Sequence, residues 1–120
     1  EILDLLPLLK EKLDDRGGSL SGGQQQILAI GRALISDPKV LLLDEPSEGI
    51  QPSIVAEIAE TVARIAREKG LAVLVVEQNL DFVASVAERI KVIDRGQIVA
   101  DLLVEDLLRE ESLQHQYLGI

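Results

Sequence analysis

The sequence contains no cysteine, tryptophan or methionine, and it has one phenylalanine and one tyrosine among its 120 residues. The absence of cysteine excludes a disulfide framework and a thiolate metal site. Two aromatic rings offer almost no platform for stacking nucleic-acid bases. The net charge of −9 also argues against a nucleic-acid surface, although backbone N–H groups can still bind a phosphate.

No apolar run approaches the eighteen or so residues needed to span a membrane, and no signal peptide is visible. We therefore expect a cytoplasmic location. The length predicts one domain with an aliphatic core. The chain starts at Glu1 instead of methionine, so we expect a piece of a longer protein. The single histidine, His115, is expected at a solvated helix position and not as a ligand.

The order of the predicted elements is that of an α/β protein. Leucines at helical spacing predict a helix over 2–13, which Pro7 either starts or kinks, and a second helix runs from Ser21 to just before Asp37. Further along, the pattern predicts a strand at 40–43, a helix at 52–69, a strand at 71–76, a helix at 80–88, a hairpin of 90–94 with 97–102, and a helix over 104–118. The apolar runs of the first two strands predict burial on both faces, as in a parallel sheet.

The start of the second helix is rich in small residues. Ser21 stands at the N-cap position, and Gln24 completes a capping-box pattern. Gly22 and Gly23 are poor helix formers, so their presence in the first turn indicates that something approaches the backbone closely. A helix N-terminus favours an anion such as phosphate. An ordinary glycine-rich helix start is the alternative.

Two carboxylates, Asp44 and Glu45, follow the first strand, and Glu77, Gln78 and Asn79 follow the second. Ligands of open α/β sheets bind at these strand ends. The acidic pair either faces water as a simple strand cap or serves phosphoryl transfer. In the second case Asp44 holds Mg²⁺, mostly through water, and Glu45 orients and deprotonates an attacking water.

The run Leu-Ser-Gly-Gly-Gln at 20–24, followed about twenty residues later by Leu-Leu-Leu-Asp-Glu-Pro at 41–46, resembles the nucleotide-binding subunits of ATP-binding-cassette (ABC) transporters. The first run matches their signature motif and the second matches Walker B with its following glutamate. Finer details are similar to the ATPases of branched-chain amino acid and urea importers, namely the segments 45–55, 76–79 and 117–119.

The resemblance implies a P-loop NTPase-like α/β fold, here a partial domain with a mostly parallel sheet, helices on its faces and a C-terminal β-hairpin with helices. Residues 1–35 would be part of the helical subdomain, and 36–120 part of the core and C-terminal segment. The implied catalytic residues are Glu45 and Gln78, and the implied metal ligand is Asp44. The signature residues that contact ATP in trans are Ser21, Gly22, Gly23 and Gln24, and the D-loop residues are Ser47, Glu48, Gly49 and Gln51.

The sequence departs from the family at three points. Gln78 replaces the histidine that contacts the γ-phosphate, and Gln51 replaces an aspartate; both fit the amino acid and urea subgroup. No Gly-x-x-x-x-Gly-Lys-Ser/Thr pattern occurs, so the chain looks like the C-terminal half of the domain. We expect the 120 residues alone to be inactive.

For the whole protein, the resemblance implies ATP and Mg²⁺ as cofactors and a second ABC ATPase subunit as partner, identical or different. It also implies membrane permeases as partners, with the protein on the cytoplasmic face of the membrane and no span or nucleic acid of its own. Two alternatives stay open: a non-catalytic half-domain that only binds partners, and a soluble ABC-type ATPase.

Overall fold

The computed structural model describes residues 1–119. Its helices are α1 (Ile2–Leu5), α2 (Pro7–Lys10), α3 (Gly22–Leu34), α4 (Pro52–Lys69), α5 (Leu80–Val86), α6 (Val104–Arg109) and α7 (Glu111–Leu118), with a 3₁₀ turn at Gly17–Ser19. Its strands are β1 (Val40–Asp44), β2 (Ala72–Val76), β3 (Arg89–Asp94) and β4 (Gln97–Leu103). The mixed helix and strand order predicted from the sequence is confirmed.

The strands form two separate two-stranded sheets within the described residues. Strands β1 and β2 are parallel, in a register that runs from Val40 opposite Ala72 to Asp44 opposite Val76. Helix α4 connects them, as a parallel crossover requires. Its C-terminus is the left-handed Gly70 (φ 60°), the stop that the sequence predicts.

The predicted hairpin is confirmed, with β3 antiparallel to β4. Arg95 and Gly96 form its turn, and both have positive φ (46° and 78°), as the two-residue turn that matches strand twist requires. The register shifts after Val92, where Val92 pairs with Ala100 and Ile93 pairs with Ile98. A β-bulge therefore interrupts the hairpin ladder.

The hydrophobic core lies where α3 and α4 pack with the first helices against one face of the β1–β2 sheet. Its most deeply buried large side chains include Leu6, Ile27, Leu34, Ile58, Ile65 and Phe82. From the sheet, Leu41 is buried, and Leu43, Val73 and Val75 pack against the same cluster. The core is aliphatic except for Phe82, as the composition predicts.

The opposite face of the same sheet is exposed. Val40, Leu42, Leu74 and Val76 are 53%, 69%, 60% and 54% exposed. The prediction that both strands are buried on two faces is therefore wrong for this structure. The described helices cover only the face that carries Leu41, so the residues that alternate with it along the strand point away from the core.

Two predicted helices are interrupted. The segment 2–13 bends at Leu6 (φ −127°, ψ 65°), and Pro7 starts α2, which ends at Lys10. Proline suits this first position because its missing N–H has no helical partner there. The segment 104–118 bends at Glu110 (φ −110°, ψ 101°) and so forms α6 and α7. None of the helices at 1–119 combines the length and apolar character that crossing a membrane requires.

Candidate functional site

The carboxyl ends of β1 and β2 lie side by side because the strands are parallel and in register. The Glu45 N–H donates to the carbonyl oxygen of Val76 at 2.8 Å, so pairing continues one residue past β1. The loops that follow enclose a shallow depression of about 380 Å³. It is lined by Glu45, Ser47, Glu48, Glu77, Gln78 and Asn79.

Glu45 and Gln78, the two residues expected to be catalytic, meet in this depression. The Gln78 side-chain amide (Nε2) donates a hydrogen bond to Glu45 Oε1 at 3.1 Å. They are 33 positions apart in the chain, and the parallel register brings them together. The contact therefore joins a carboxylate that can accept a proton to an amide that can donate hydrogen bonds.

Glu45 also has an unusual backbone. Its φ of 46° lies in the left-handed region, which costs a non-glycine residue about 1 kcal/mol or more. Such conformations persist where the surroundings hold them, and they cluster at functional sites. A hydrogen bond with the carboxyl group of Glu48 and the nearby charge of Glu48 raise the pKa of Glu45, while the Gln78 hydrogen bond opposes the rise. A raised pKa makes Glu45 a better proton acceptor near neutral pH.

Glu77 was not among the predicted site residues, yet it accepts four hydrogen bonds at the same edge. Its Oε1 accepts from the backbone N–H of Ser47 at 2.9 Å and from the Ser47 hydroxyl. Its Oε2 accepts from the N–H groups of Gln78 at 2.7 Å and Asn79 at 3.0 Å. Burial alone would raise the pKa of Glu77. The four hydrogen bonds have the larger effect, so the pKa of Glu77 lies below its ordinary value. Its position directly after β2 was the available sequence signal.

Asp44 is the last residue of β1, and its side chain is exposed. In the described part of the chain, no group of three or more histidine, cysteine, aspartate or glutamate side chains could hold a metal. One exposed carboxylate nevertheless fits Mg²⁺, which is usually held by one or two carboxylates and otherwise keeps water or phosphate oxygens. The donor chemistry at Asp44 therefore suits Mg²⁺ better than a metal that needs an all-protein cage.

The capping box that the sequence predicts at the start of α3 is present. The N–H of Gln24 donates to Ser21 Oγ at 3.3 Å, and the N–H of Ser21 donates to Gln24 Oε1 at 2.9 Å. The two glycines that follow Ser21 have different surroundings. Gly22 is exposed, with no atom within 4 Å of the place where a Cβ would be. A Cβ on Gly23 would lie 2.1 Å from Cγ2 of Ile54.

This contrast changes the interpretation of the glycine pair. The close neighbour of Gly23 belongs to the chain itself, since the side chain of Ile54 at the start of α4 packs against it. Gly22 alone leaves open space beside the helix N-terminus. None of the four predicted signature residues lines the depression at the strand ends. Within one chain, the helix start and the acidic site are therefore separate surfaces.

The segment after Glu45, which the resemblance predicts to be the D-loop, is a succession of tight turns. The N–H of Glu48 donates to the carbonyl of Glu45 at 3.1 Å, and the N–H of Ile50 donates to that of Ser47 at 3.3 Å. Gly49 has a φ of 70°, which favours glycine. Gln51 is the N-cap of α4. The segment therefore links the depression to the helix that packs on Gly23.

A family model described as ABC transporter matches residues 1–48. Over 119 residues the chain is 45% identical to the high-affinity branched-chain amino acid transport ATP-binding protein BraG of Pseudomonas aeruginosa, covering 99% of this chain and 51% of BraG. The chain belongs to the ABC ATPase family. It is also 36% identical over 106 residues to the lipopolysaccharide export system ATP-binding protein LptB of Escherichia coli K12, covering 88% of this chain and 44% of LptB.

Solved structures of ABC ATPases share the fold. The ADP conformation of MJ1267, an ATP-binding cassette of an ABC transporter, matches with a TM-score of 0.83 and 32% identity, over 99% of this chain and 48% of that one. The dimeric post-hydrolysis state of the ATP-binding cassette MJ0796, bound to ADP and Pi, matches with a TM-score of 0.64 and 30% identity, over 72% and 37%. The chain spans about half the length of the curated relatives it matches. It thus has the P-loop NTPase fold of ABC ATPases as a partial domain.

Proposed function

We propose that this chain is part of the ATP-hydrolysing subunit of an ABC importer and supplies the acidic side of the hydrolysis site. The contact between Glu45 and Gln78 at the ends of two parallel strands is the observation that carries this proposal. It unites a carboxylate that can take a proton with an amide that can donate a hydrogen bond to phosphate. The family membership supports ATP as the substrate.

In this proposal Glu45 orients the attacking water and accepts its proton, since the raised pKa of Glu45 favours proton uptake. Gln78 holds Glu45 in place through one amide hydrogen and has a second hydrogen for the γ-phosphate. Asp44 holds Mg²⁺, which when bound neutralises charge on the phosphate oxygens. The strained backbone of Glu45 sets the direction of its side chain.

We propose that the signature residues act on the ATP of a second subunit. The four residues are Ser21, Gly22, Gly23 and Gln24, at a helix N-terminus outside the acidic depression of its own chain. The open backbone at Gly22 suits a phosphate oxygen, while Gly23 seats the helix on Ile54. The similar cassette MJ0796 is dimeric in its post-hydrolysis state, which supports action on a second subunit. In this proposal the D-loop residues Ser47, Glu48, Gly49 and Gln51 lie near the subunit interface.

We further propose branched-chain amino acids or urea as the transported solute. The similarity to BraG and the motif details at 45–55 and 76–79 support this assignment. LptB, which is named for lipopolysaccharide export, shows that the fold alone does not fix the solute.

Residues 1–35 would belong to the helical subdomain that docks on membrane permeases, on the cytoplasmic face, and 36–120 to the core and C-terminal segment.

A non-catalytic binding module is the second candidate function. One observation favours it, namely that the 120 residues contain no P-loop pattern to anchor the phosphates of ATP. Under both proposals we expect the chain alone to show no ATP turnover. They differ in what happens when a P-loop is supplied.

ATP turnover in the presence of a separately expressed P-loop half from this family tests the two candidates. The catalytic proposal predicts turnover in the mixture that Glu45→Gln lowers at least about 100-fold, the scale at which removal of such a group acts. Glu60→Gln, on an exposed turn of α4, is the matched control and should leave turnover unchanged. A mixture that binds ATP and hydrolyses it equally well with Glu45→Gln would refute the catalytic role.

A further inference from the structure

The carboxylate of Glu77 joins two loops that are far apart in the sequence. Its Oε1 binds Ser47, in the loop after β1, and its Oε2 binds Gln78 and Asn79, in the loop after β2. Ser47 lies 30 positions from Glu77. All four donors point at one side chain, so the separation of the two loops depends on this residue.

The two loops are those that carry Glu45 and Gln78. Glu45 lies two positions before Ser47, and Gln78 directly follows Glu77. The hydrogen bond between their side chains is 3.1 Å long, so a displacement of either loop by 1 Å would break it. The left-handed backbone of Glu45 adds a second reason for restraint, because the loop must be held on both sides of it.

The backbone is fixed on each side of these loops. Before Ser47, the N–H of Glu45 is bound to Val76 at 2.8 Å. Beyond Gln78, the side chain of Asn79 caps α5 by accepting from the N–H of Phe82 at 3.0 Å. Phe82 is 1% exposed, so α5 is anchored in the core. Glu77 is thus the connection between the Ser47 loop and a loop that the core already holds.

We propose that Glu77 is a positioning residue that holds the loop of Ser47 against the loop of Gln78, so that Gln78 reaches the catalytic Glu45. This proposal rests on the proposed ATPase function for its kinetic consequence. Only a carboxylate fits, because all four partners donate hydrogen bonds. Glutamine at position 77 keeps one acceptor oxygen and turns an amide donor toward two of those donors.

The contact between the loops is measured by NMR on the full 120-residue chain, independently of activity. With Glu77 present, Glu45→Gln shifts the side-chain amide resonances of Gln78. In the Glu77→Gln background, the same Glu45→Gln change leaves those resonances unmoved. The control Glu60→Gln keeps the wild-type response. Unchanged resonances of the core residue Phe82 show that each variant is folded. A Gln78 response to Glu45→Gln that persists in Glu77→Gln overturns the proposal.

The kinetic consequence is measured in the mixture with the P-loop half. Glu77→Gln lowers kcat roughly 10- to 100-fold, the scale of a misplacement of about 1 Å, while KM for ATP changes by less than about twofold. Ser47→Ala removes one of the four hydrogen bonds and gives a smaller loss in kcat. An unchanged kcat in Glu77→Gln overturns the proposal. Failure of the ATPase function itself is distinguishable, because Glu45→Gln would then have no effect on turnover.

Discussion

The contact between Gly23 and Ile54 gives the most quantitative prediction. A Cβ at position 23 would lie 2.1 Å from Ile54 Cγ2, about 1.4 Å closer than an ordinary carbon–carbon contact of about 3.5 Å. Gly23 is buried in the first turn of α3, so the added methyl group has no alternative direction. Since Ile54 is half-buried and can yield in part, we expect Gly23→Ala to lower the free energy of unfolding by about 2 kcal/mol.

Gly22→Ala is the matched control, because the neighbouring glycine has open space at the same position. There alanine restricts the unfolded chain and improves helix propensity, so the free energy of unfolding should rise by about 0.4–1 kcal/mol. Urea denaturation monitored by circular dichroism measures both variants under the same conditions. The two adjacent substitutions should therefore change stability in opposite directions.

Changes at Ile54 identify the atom responsible. Ile54→Ala removes the Cγ2 methyl group, so adding it to Gly23→Ala should cost less than the sum of the single changes by about 1–2 kcal/mol. Ile54→Val keeps that methyl group and should give no such relief. Equal destabilisation by Gly22→Ala and Gly23→Ala, or equal rescue by alanine and valine at position 54, would refute the packing explanation.

Three further predictions concern the cap, the Glu77 carboxylate and the exposed sheet face. Ser21→Ala removes the acceptor of the capping box and should lower the free energy of unfolding by about 1 kcal/mol. The control Ser53→Ala, on an exposed turn of α4, should change the free energy of unfolding by less than about 0.5 kcal/mol. Equal losses in the two variants would contradict a stabilising role of the cap. The lowered pKa of Glu77 stabilises the fold above the ordinary glutamate value of 4.5, and this contribution is lost as the pH falls through the lower folded pKa. Urea titrations give the difference in free energy of unfolding between wild type and Glu77→Gln. This difference should be constant above about pH 5.5 and shrink below pH 4.5. A difference that stays constant at every pH would contradict the lowered pKa of Glu77. Leu42→Lys should reduce self-association in size-exclusion chromatography without unfolding the chain. Leu41→Lys, at a position that is 5% exposed, should unfold the chain. A wild-type chain that is monomeric at every concentration would contradict self-association through the exposed sheet face.

Sequence patterns were informative wherever the cause is local. The capping box of Ser21 and Gln24, the stop of α4 at Gly70 and the turn at Arg95 and Gly96 all depend on residues within four positions of each other. The structure confirms each of them. Pro7 indicated a helix start or kink next to the break at Leu6, which the structure confirms. The break at Glu110 was not predicted, because the helical apolar spacing continues through that position and does not show a single extended residue.

Burial was less predictable than local structure. The runs Val40–Leu43 and Leu71–Val76 are apolar on both faces, a composition typical of strands covered by helices on two sides. In the structure only alternate residues are covered, so Leu41 is 5% exposed and Leu42 is 69% exposed. A run of apolar residues indicates that both faces of a strand favour burial. Which face is buried in the structure depends on which helices pack against the sheet.

The acidic edge shows why some site residues need three dimensions. Glu45, Glu48 and Glu77 line the same depression, and chain order does not show how these three carboxyl groups share the available hydrogen-bond donors. In the structure Glu77 takes the N–H groups of three residues and its pKa falls, while Glu45 lies beside Glu48 and its pKa rises. Opposite shifts in neighbouring carboxyl groups separate an ionised acceptor from a group suited to proton transfer. Glu77 can therefore hold the loops because its hydrogen-bond donors favour the charged form, and Glu45 can take a proton because the neighbouring Glu48 raises its pKa.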